Sequence, residues 1–334
     1  MAIETINPYN NKSVKKFEEI SEKELESKIA TADKAYSSWK RSSFSERKKL
    51  LNKVASLMKK KKKELAEMIT IEMGKLIAQS EAEIDMCISV YEYYAENGEE
   101  FLKDKDVEVK DGKAFIRNAP IGIILGVMPW NYPFNQVARM AAPNIMAGNV
   151  IAIKHASNVP QCAKAIEDLF MEAGAPEGVY TNLFLSSKKI AKMAEDSRIA
   201  GMSLTGSEGA GSSLAEAAGK NLKKSVLELG GSDAFIVLED ADLNNAVKSA
   251  VTGRFGNMGQ ACTSSKRIIV VEEIADAFLE KFKSRLEGLK VGNPLEKDTE
   301  VGPLSSEEAA KTIEKQVKET VKAGAKVVIG GKRM

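Results

Sequence analysis

The sequence predicts an α/β protein that combines a doubly wound parallel sheet with a second α/β domain. The chain has 334 residues, longer than a single hydrophobic core usually grows, so two domains are expected. From Ile121 onward, short β-rich segments alternate with helical ones, which is typical of parallel strands with helices on both faces of the sheet. A strand-and-helix pattern resumes after Gly230-Gly231, and it predicts the second domain.

The first hundred residues predict helices. Residues 21–101 carry apolar side chains at spacings of three and four, and Ser21 precedes them as a possible N-cap. Residues 107–117 then alternate around Asp111-Gly112, a pair that favours a β-hairpin. This hairpin is expected to separate the helical start from the sheet.

The elements of the two domains are assigned from these patterns. Expected strands of the first domain are 121–127, 149–153, 179–185, 199–204 and 225–229, with helices at 135–147, 160–173, 187–196 and 209–218. The second domain is expected to have strands at 234–238 and 268–271, helices at 242–254, 278–289 and 307–323, and a strand-like end at 327–329. Parallel sheets bind ligands at the carboxyl ends of their strands.

Composition argues against nucleic-acid and membrane partners. The chain is 43% hydrophobic and 29% charged, and its net charge is only +2, so no global field favours an anionic partner. The basic run Lys59–Lys63 is a local exception. It continues an apolar helical pattern, which indicates the solvated face of a helix, although a nucleic-acid patch is the alternative.

Cysteine usage and the amino terminus indicate a cytoplasmic protein. Cys87, Cys162 and Cys262 are too few and too scattered for a disulfide framework or a zinc site, so no metal is expected. The segment Met1–Pro8 has neither the order of a signal peptide nor an apolar span. Of the three thiols, Cys87 and Cys162 fit buried helix positions.

A candidate nucleotide site follows the strand at 199–204. The turn Thr205–Gly211 contains three glycines and leads into a helix, whose N-terminal N–H groups and dipole attract a pyrophosphate. The turn is not G-x-G-x-x-G, so an ordinary tight strand-to-helix connection is the alternative at this point.

Three separate segments supply the groups needed to oxidise an aldehyde through a thioester. Cys262 lies in the Gly-rich run 255–263, Glu228 lies in Leu-Glu-Leu-Gly-Gly, and Asn131 lies in Pro-Trp-Asn-Tyr-Pro. A thiol can attack a carbonyl, a carboxylate can activate water, and an amide can donate to an oxyanion.

Together these segments resemble the aldehyde dehydrogenase superfamily over nearly the whole chain. The resemblance implies that Cys262 is the nucleophile, Glu228 the general base and Asn131, with the Cys262 N–H, the oxyanion donor. It also implies cofactor contacts, which we assign to Trp130, Gly206, Ser207, Gly211 and Leu229.

A further cofactor contact is expected at the end of the strand at 149–153. In NAD-preferring members the position three after Lys154 is often Glu, whose charge repels the 2′-phosphate of NADP. Here that position is Ser157, which could instead donate to the phosphate while Lys154 supplies a positive charge. The sequence thus favours NADP over NAD, although Ser157 could also be a helix cap.

The substrate is suggested by Arg139, eight residues after Asn131. The resemblance places it on the helix lining the substrate tunnel, where an Arg would pair with a substrate carboxylate. The local sequence looks most like that of the shorter succinate-semialdehyde dehydrogenases. The alternative is that Arg139 forms an ordinary interdomain salt bridge.

The resemblance also sets expectations for domains and assembly. Residues 1–101 and 121–230 would bind the cofactor, 102–120 would form an oligomerisation hairpin, and 231–334 would be an incomplete catalytic domain, because family members continue past Met334. The expected assembly at full length is a homodimer or homotetramer. A truncated, catalytically weak nucleotide-binding or assembly protein is the alternative function.

Overall fold

The structure, a computed structural model, describes residues 3–334. In chain order the strands are β1 (Ile3–Asn7), β2 (Lys12–Phe17), β3 (Lys105–Val107), β4 (Ala114–Ile116), β5 (Ile123–Met128), β6 (Val150–His155), β7 (Tyr180–Asn182), β8 (Ile199–Thr205), β9 (Lys224–Glu228), β10 (Ala234–Val237) and β11 (Arg267–Val270). The helices are α1 (Glu22–Trp39), α2 (Phe44–Lys60), α3 (Lys62–Met73), α4 (Ile77–Leu102), α5 (Asn135–Ala147), α6 (Pro160–Glu172), α7 (Ile190–Met193), α8 (Glu208–Lys220), α9 (Leu243–Phe255), α10 (Glu272–Glu287) and α11 (Glu307–Lys322).

The chain divides into two compact units. One comprises residues 3–5, Val14–Met68 and Glu81–Leu229, and the other comprises Ile6–Ser13, Ile69–Ser80 and Gly230–Met334. Within residues 3–334, no helix carries an apolar stretch of the length and hydropathy that a bilayer crossing requires.

The first unit is built on a five-stranded parallel sheet with the order β7-β6-β5-β8-β9. The predicted doubly wound parallel sheet is therefore confirmed. The chain leaves β5 for β6 on one side and later returns to β8 on the other side of β5. Connections that leave adjacent strands in opposite directions open a crevice at the carboxyl ends, which is where ligands bind in such sheets.

Two helices of this unit begin at capping serines. Ser21 and Ser43 each close a capping box, with Glu24 and Glu46 respectively, at the starts of α1 and α2. The run Lys59–Lys63 spans a junction of two helices and not one continuous helical face, because Lys61 leaves helical geometry between α2 and α3. Basic residues in the last turn of α2 complement the helix dipole.

The hairpin predicted around Asp111-Gly112 is present. β3 and β4 pair antiparallel, from Lys105 opposite Ile116 to Val107 opposite Ala114. Gly112 has φ +85°, a left-handed conformation that glycine adopts without a side-chain clash.

The second unit contains a smaller parallel sheet of β10 and β11, with Ala234 opposite Arg267 and Val237 opposite Val270. A core forms where α9 and α10 cover these strands, and its buried members are Val237, Val247, Ala250 and Phe278. The predicted second α/β pattern is thus present in residues 231–334.

One predicted strand is shorter than expected, and the strand-like segment predicted at 327–329 is not a strand. Strand β7 stops at Asn182 instead of continuing to 185, because the Leu185 N–H turns back to donate to the Leu183 carbonyl at 3.0 Å. The strand expected at 327–329 is not formed, since a strand requires a partner and none of the strands within residues 3–334 pairs with it.

Candidate active site

The Asn131 loop, residues 129–134, leaves the carboxyl end of β5 and enters α5. Asn131 is half-buried, and its Oδ1 accepts from the Tyr132 N–H at 3.1 Å. Trp130 is also half-buried in this loop. The loop therefore lies beside β8, at the position where the sheet opens its crevice.

The carboxyl end of β6 carries two of the expected cofactor residues. Lys154 pairs in register with Val127 of β5, and its partial burial lowers the pKa of its ammonium group. Ser157 is half-buried two residues beyond the strand, and its carbonyl accepts from the Glu4 N–H at 3.2 Å. A cation and a hydroxyl group thus lie within four residues of each other at the end of one strand.

The glycine turn after β8 leads into the capped N-terminus of α8. Ser207 caps α8, its Oγ accepting from the Ala210 N–H at 3.4 Å, and Gly206 precedes it. Gly211 is buried one turn into the helix, where a Cβ would lie 2.5 Å from Cδ2 of Leu229. The structure therefore brings Leu229 onto the turn that the sequence analysis assigned to the diphosphate.

Glu228 and Arg139 line the same cavity in the first unit. This cavity has a volume of about 350 Å³ and lies between the sheet and α5. Glu228 ends β9 with its side chain exposed, and Arg139 is exposed on α5. A carboxylate and a guanidinium group therefore line one cavity.

Cys262 belongs to the second unit and is exposed, whereas Cys87 and Cys162 are buried. The ammonium of Lys266 donates to the carbonyls of Ala261 and Cys262, both at 3.0 Å, and so folds the loop on itself. An exposed thiol is accessible to a substrate, whereas a buried one is not.

The residues before Cys262 hold a strained backbone. Asn257 and Met258 both adopt left-handed conformations, with φ 50° and 56°. Two side-chain amides support this turn: Oε1 of Gln79 accepts from the Asn257 N–H at 3.0 Å, and the Gln260 amide donates to the Asn257 carbonyl at 3.2 Å. Strain of this kind persists only where neighbouring contacts compensate for it.

Comparison with known proteins identifies the family. The model of the aldehyde dehydrogenase family matches residues 1–334. The chain belongs to the aldehyde dehydrogenase family.

This aldehyde dehydrogenase has close relatives of named activity. It is 45% identical over 329 residues to the succinate-semialdehyde dehydrogenase [NADP(+)] of Deinococcus radiodurans, covering 98% of this chain and 69% of the relative. A probable succinate-semialdehyde dehydrogenase [NADP(+)] of Synechocystis is 45% identical, covering 100% of this chain and 74% of the relative. The solved succinic semialdehyde dehydrogenase of Streptococcus pyogenes in complex with NADP+ is 40% identical with a TM-score of 0.97, covering 99% and 73% of the two chains.

The structure also shows residues of this aldehyde dehydrogenase that the sequence analysis did not single out. Gln136 and Lys224 line the cavity beside Arg139 and Glu228. Gln136 lies three residues before Arg139 on a helix, and Lys224 lies four before Glu228 on a strand, so each spacing places the pair on one face. That periodicity was the signal available to find them. His155 contacts the Asn131 loop at the carbonyl oxygen of Pro133.

Proposed function

We propose that this aldehyde dehydrogenase oxidises succinate semialdehyde to succinate with NADP, through a thioester on Cys262. The observation that carries the substrate assignment is the shared cavity of Arg139 and Glu228. An aldehyde bearing a distant carboxylate would place its charged end at the guanidinium of Arg139, which binds planar anions through two parallel N–H bonds. The activities named for the relatives support the same substrate.

The chemistry proposed for the protein needs three of its groups. The Cys262 thiolate attacks the aldehyde carbon, and the resulting oxyanion accepts hydrogen bonds from the Asn131 amide and the Cys262 N–H. When bound, a nicotinamide cofactor would supply the oxidation by taking up a hydride from the substrate. Glu228 then takes a proton from water, whose oxygen attacks the thioester and releases the acid and the thiol.

The residues present fit a dinucleotide phosphate. The capped turn at Gly206-Ser207 offers helix N–H groups, and the buried Gly211 lets Leu229 lie close against the start of α8. Lys154 supplies a cation near the expected ribose, and Ser157 brings no negative charge to repel a 2′-phosphate. These features favour NADP, and NAD is the weaker candidate.

We also propose cytoplasmic location and assembly with further copies of the chain. The hairpin of β3 and β4, within residues 102–120, exposes Val107, Phe115 and Ile116, which a homodimer or homotetramer would cover. The flanking segments 1–101 and 121–230 would bind cofactor, and 231–334 would carry the nucleophile. Cys87 and Cys162 are buried and form no disulfide, which suits a reducing compartment.

A nucleic-acid role for Lys59–Lys63 is less supported. Lys61 pairs with Glu172 and Lys62 with Asp85, each at 2.5 Å, so two of these cations already have carboxylate partners.

The substrate assignment is tested by comparing Arg139→Leu with the unaltered protein on succinate semialdehyde and on butanal, following NADPH absorbance. A lost bond between charged groups, about 1.5–3 kcal/mol, should raise KM for succinate semialdehyde roughly tenfold or more and leave butanal nearly unaffected. Equal changes for both aldehydes would make Arg139 a structural residue. Cys262→Ala supplies the background rate. NADP binding without turnover of either aldehyde by the unaltered protein would favour the nucleotide-binding alternative.

A further inference from the structure

A buried histidine holds the loop that presents Asn131. Nε2 of His155 lies 2.8 Å from the carbonyl oxygen of Pro133, and the side chain is only 5% exposed. His155 is the last residue of β6, and Pro133 lies two residues after Asn131. The contact therefore joins a rigid interior strand to the loop.

The direction of this hydrogen bond is set by the other ring nitrogen. Nδ1 of His155 accepts from the backbone N–H of Ala156 at 3.0 Å. A nitrogen that accepts carries no proton, so in the neutral ring the proton is on Nε2, which donates to Pro133.

The far end of the Asn131 loop is held from another helix. Oε1 of the buried Glu83 accepts from the N–H groups of Phe134 and Asn135, at 2.9 and 3.1 Å. Pro133 itself has a fixed φ and no N–H. The segment from Pro133 to Asn135 is thus fixed by β6 and α4, and Asn131 extends from that segment.

We propose that His155 is a positioning residue for oxyanion stabilisation, holding the Asn131 amide in place through the Pro133 carbonyl. The inference rests on the proposed role of Asn131. Donors to a developing oxyanion act only when they are placed in advance, and a displacement of about 1 Å can cost roughly a hundredfold in rate. Lys154 and His155 are adjacent in β6, so their side chains face opposite sides of the sheet. Lys154 would contact the cofactor on one side, and His155 contacts the Asn131 loop on the other.

The test is a double-mutant cycle on the rate of the first NADPH burst. Asn131→Ala, His155→Leu and the double variant are compared with either aldehyde as substrate. His155→Leu should slow the burst roughly tenfold to a hundredfold, and the double variant should be no slower than Asn131→Ala alone. His155→Gln, which can donate an amide N–H to Pro133, should recover most of the rate. Additive losses for His155 and Asn131 would overturn the proposal.

A matched control separates positioning from general loss of stability. Nε1 of the buried Trp39 donates to the Ile145 carbonyl at 3.2 Å, at the other end of α5. Trp39→Phe removes that bond and should lower the unfolding temperature without slowing the burst. An equal slowing by Trp39→Phe would show that the effect of His155→Leu is a general consequence of weakening the fold.

A measurement that needs no turnover distinguishes this proposal from the proposed function. Amide hydrogen exchange in a peptide covering residues 129–135 should be faster in His155→Leu than in Trp39→Phe and the unaltered protein. If no aldehyde is oxidised but this exchange pattern is found, the proposed function fails while the positioning of the loop stands. Unchanged exchange in His155→Leu would overturn the positioning role itself.

Discussion

The backbone N–H of Gly206 donates a 2.9 Å hydrogen bond to the carbonyl oxygen of Glu228. The first glycine of the proposed diphosphate turn is therefore tied to the residue proposed as the general base. Because Thr205 and Glu228 are also opposite each other in the β8–β9 pairing, the two strand ends finish together. Backbone hydrogen bonds thus join the proposed cofactor turn to the proposed base, and we call these paired strand ends the frame. The frame depends on the Glu228 backbone and not on its side chain.

Replacing Glu228 with Gln should leave that frame intact and remove only the base. We expect a first burst of NADPH near the normal rate, followed by turnover slowed about a hundredfold or more, because the base acts after hydride transfer. Rapid mixing resolves the two phases, and mass spectrometry should detect the accumulated acyl group on Cys262. A burst that weakens in proportion to turnover would assign Glu228 a different role.

Two glycines of α8 should respond oppositely to alanine. A Cβ at Gly211 would lie 2.5 Å from Leu229 Cδ2, so Gly211→Ala should cost about 1–3 kcal/mol of unfolding free energy and weaken NADP binding. At Gly219, on the same helix, no atom lies within 4 Å of such a Cβ, and Gly219→Ala should add about 0.5–1 kcal/mol. Urea unfolding and NADP titration of both variants would check this. Equal NADP affinity in the two would contradict the role of the Gly211 contact.

Ser157→Glu should reverse the cofactor preference. A carboxylate at this position would repel the 2′-phosphate, so the Kd for NADP should rise about tenfold or more while the Kd for NAD changes little. Fluorescence titration with both cofactors measures this, and Ser157→Ala, which adds no charge, should have a much smaller effect. If Ser157→Glu weakens both cofactors equally, the residue does not face the phosphate.

Acid should destabilise the protein through His155. Burial lowers the pKa of the His155 ring to about 4 from an ordinary value of 6.5, so the folded state favours the neutral ring. This preference stabilises the folded state fully at pH values above the unfolded pKa of about 6.5. The stabilisation is lost as the pH falls from about 6.5 to about 4, and the loss reaches about 2 kcal/mol by pH 5. Urea unfolding at pH 7.5 and pH 5 should therefore show a smaller acid loss in His155→Gln, which has no ring to protonate. Equal losses in both proteins would contradict this assignment.

The sequence by itself determined the local elements and the family. Capping residues such as Ser21 and Ser43, the hairpin glycine Gly112 and the strand–helix alternation each act through neighbouring residues, so their patterns are visible in one dimension. Short motifs likewise predict Asn131, Glu228 and Cys262 as site residues. The strand-like segment 327–329 does not form a strand for the complementary reason, since a short apolar run does not show whether a pairing partner exists.

Tertiary structure alone decided which distant groups meet. Nothing in the sequence indicated that the lone histidine donates to Pro133, that Glu83 accepts from the start of α5, or that Leu229 lies against Gly211. These contacts join residues separated by 18 to 52 positions, and they depend on the strand order of the sheet and on the packing of α4 against the start of α5. Sheet order follows from burial of the whole apolar surface and not from any local pattern. The contacts that hold the site residues in place can therefore be identified only in the folded chain.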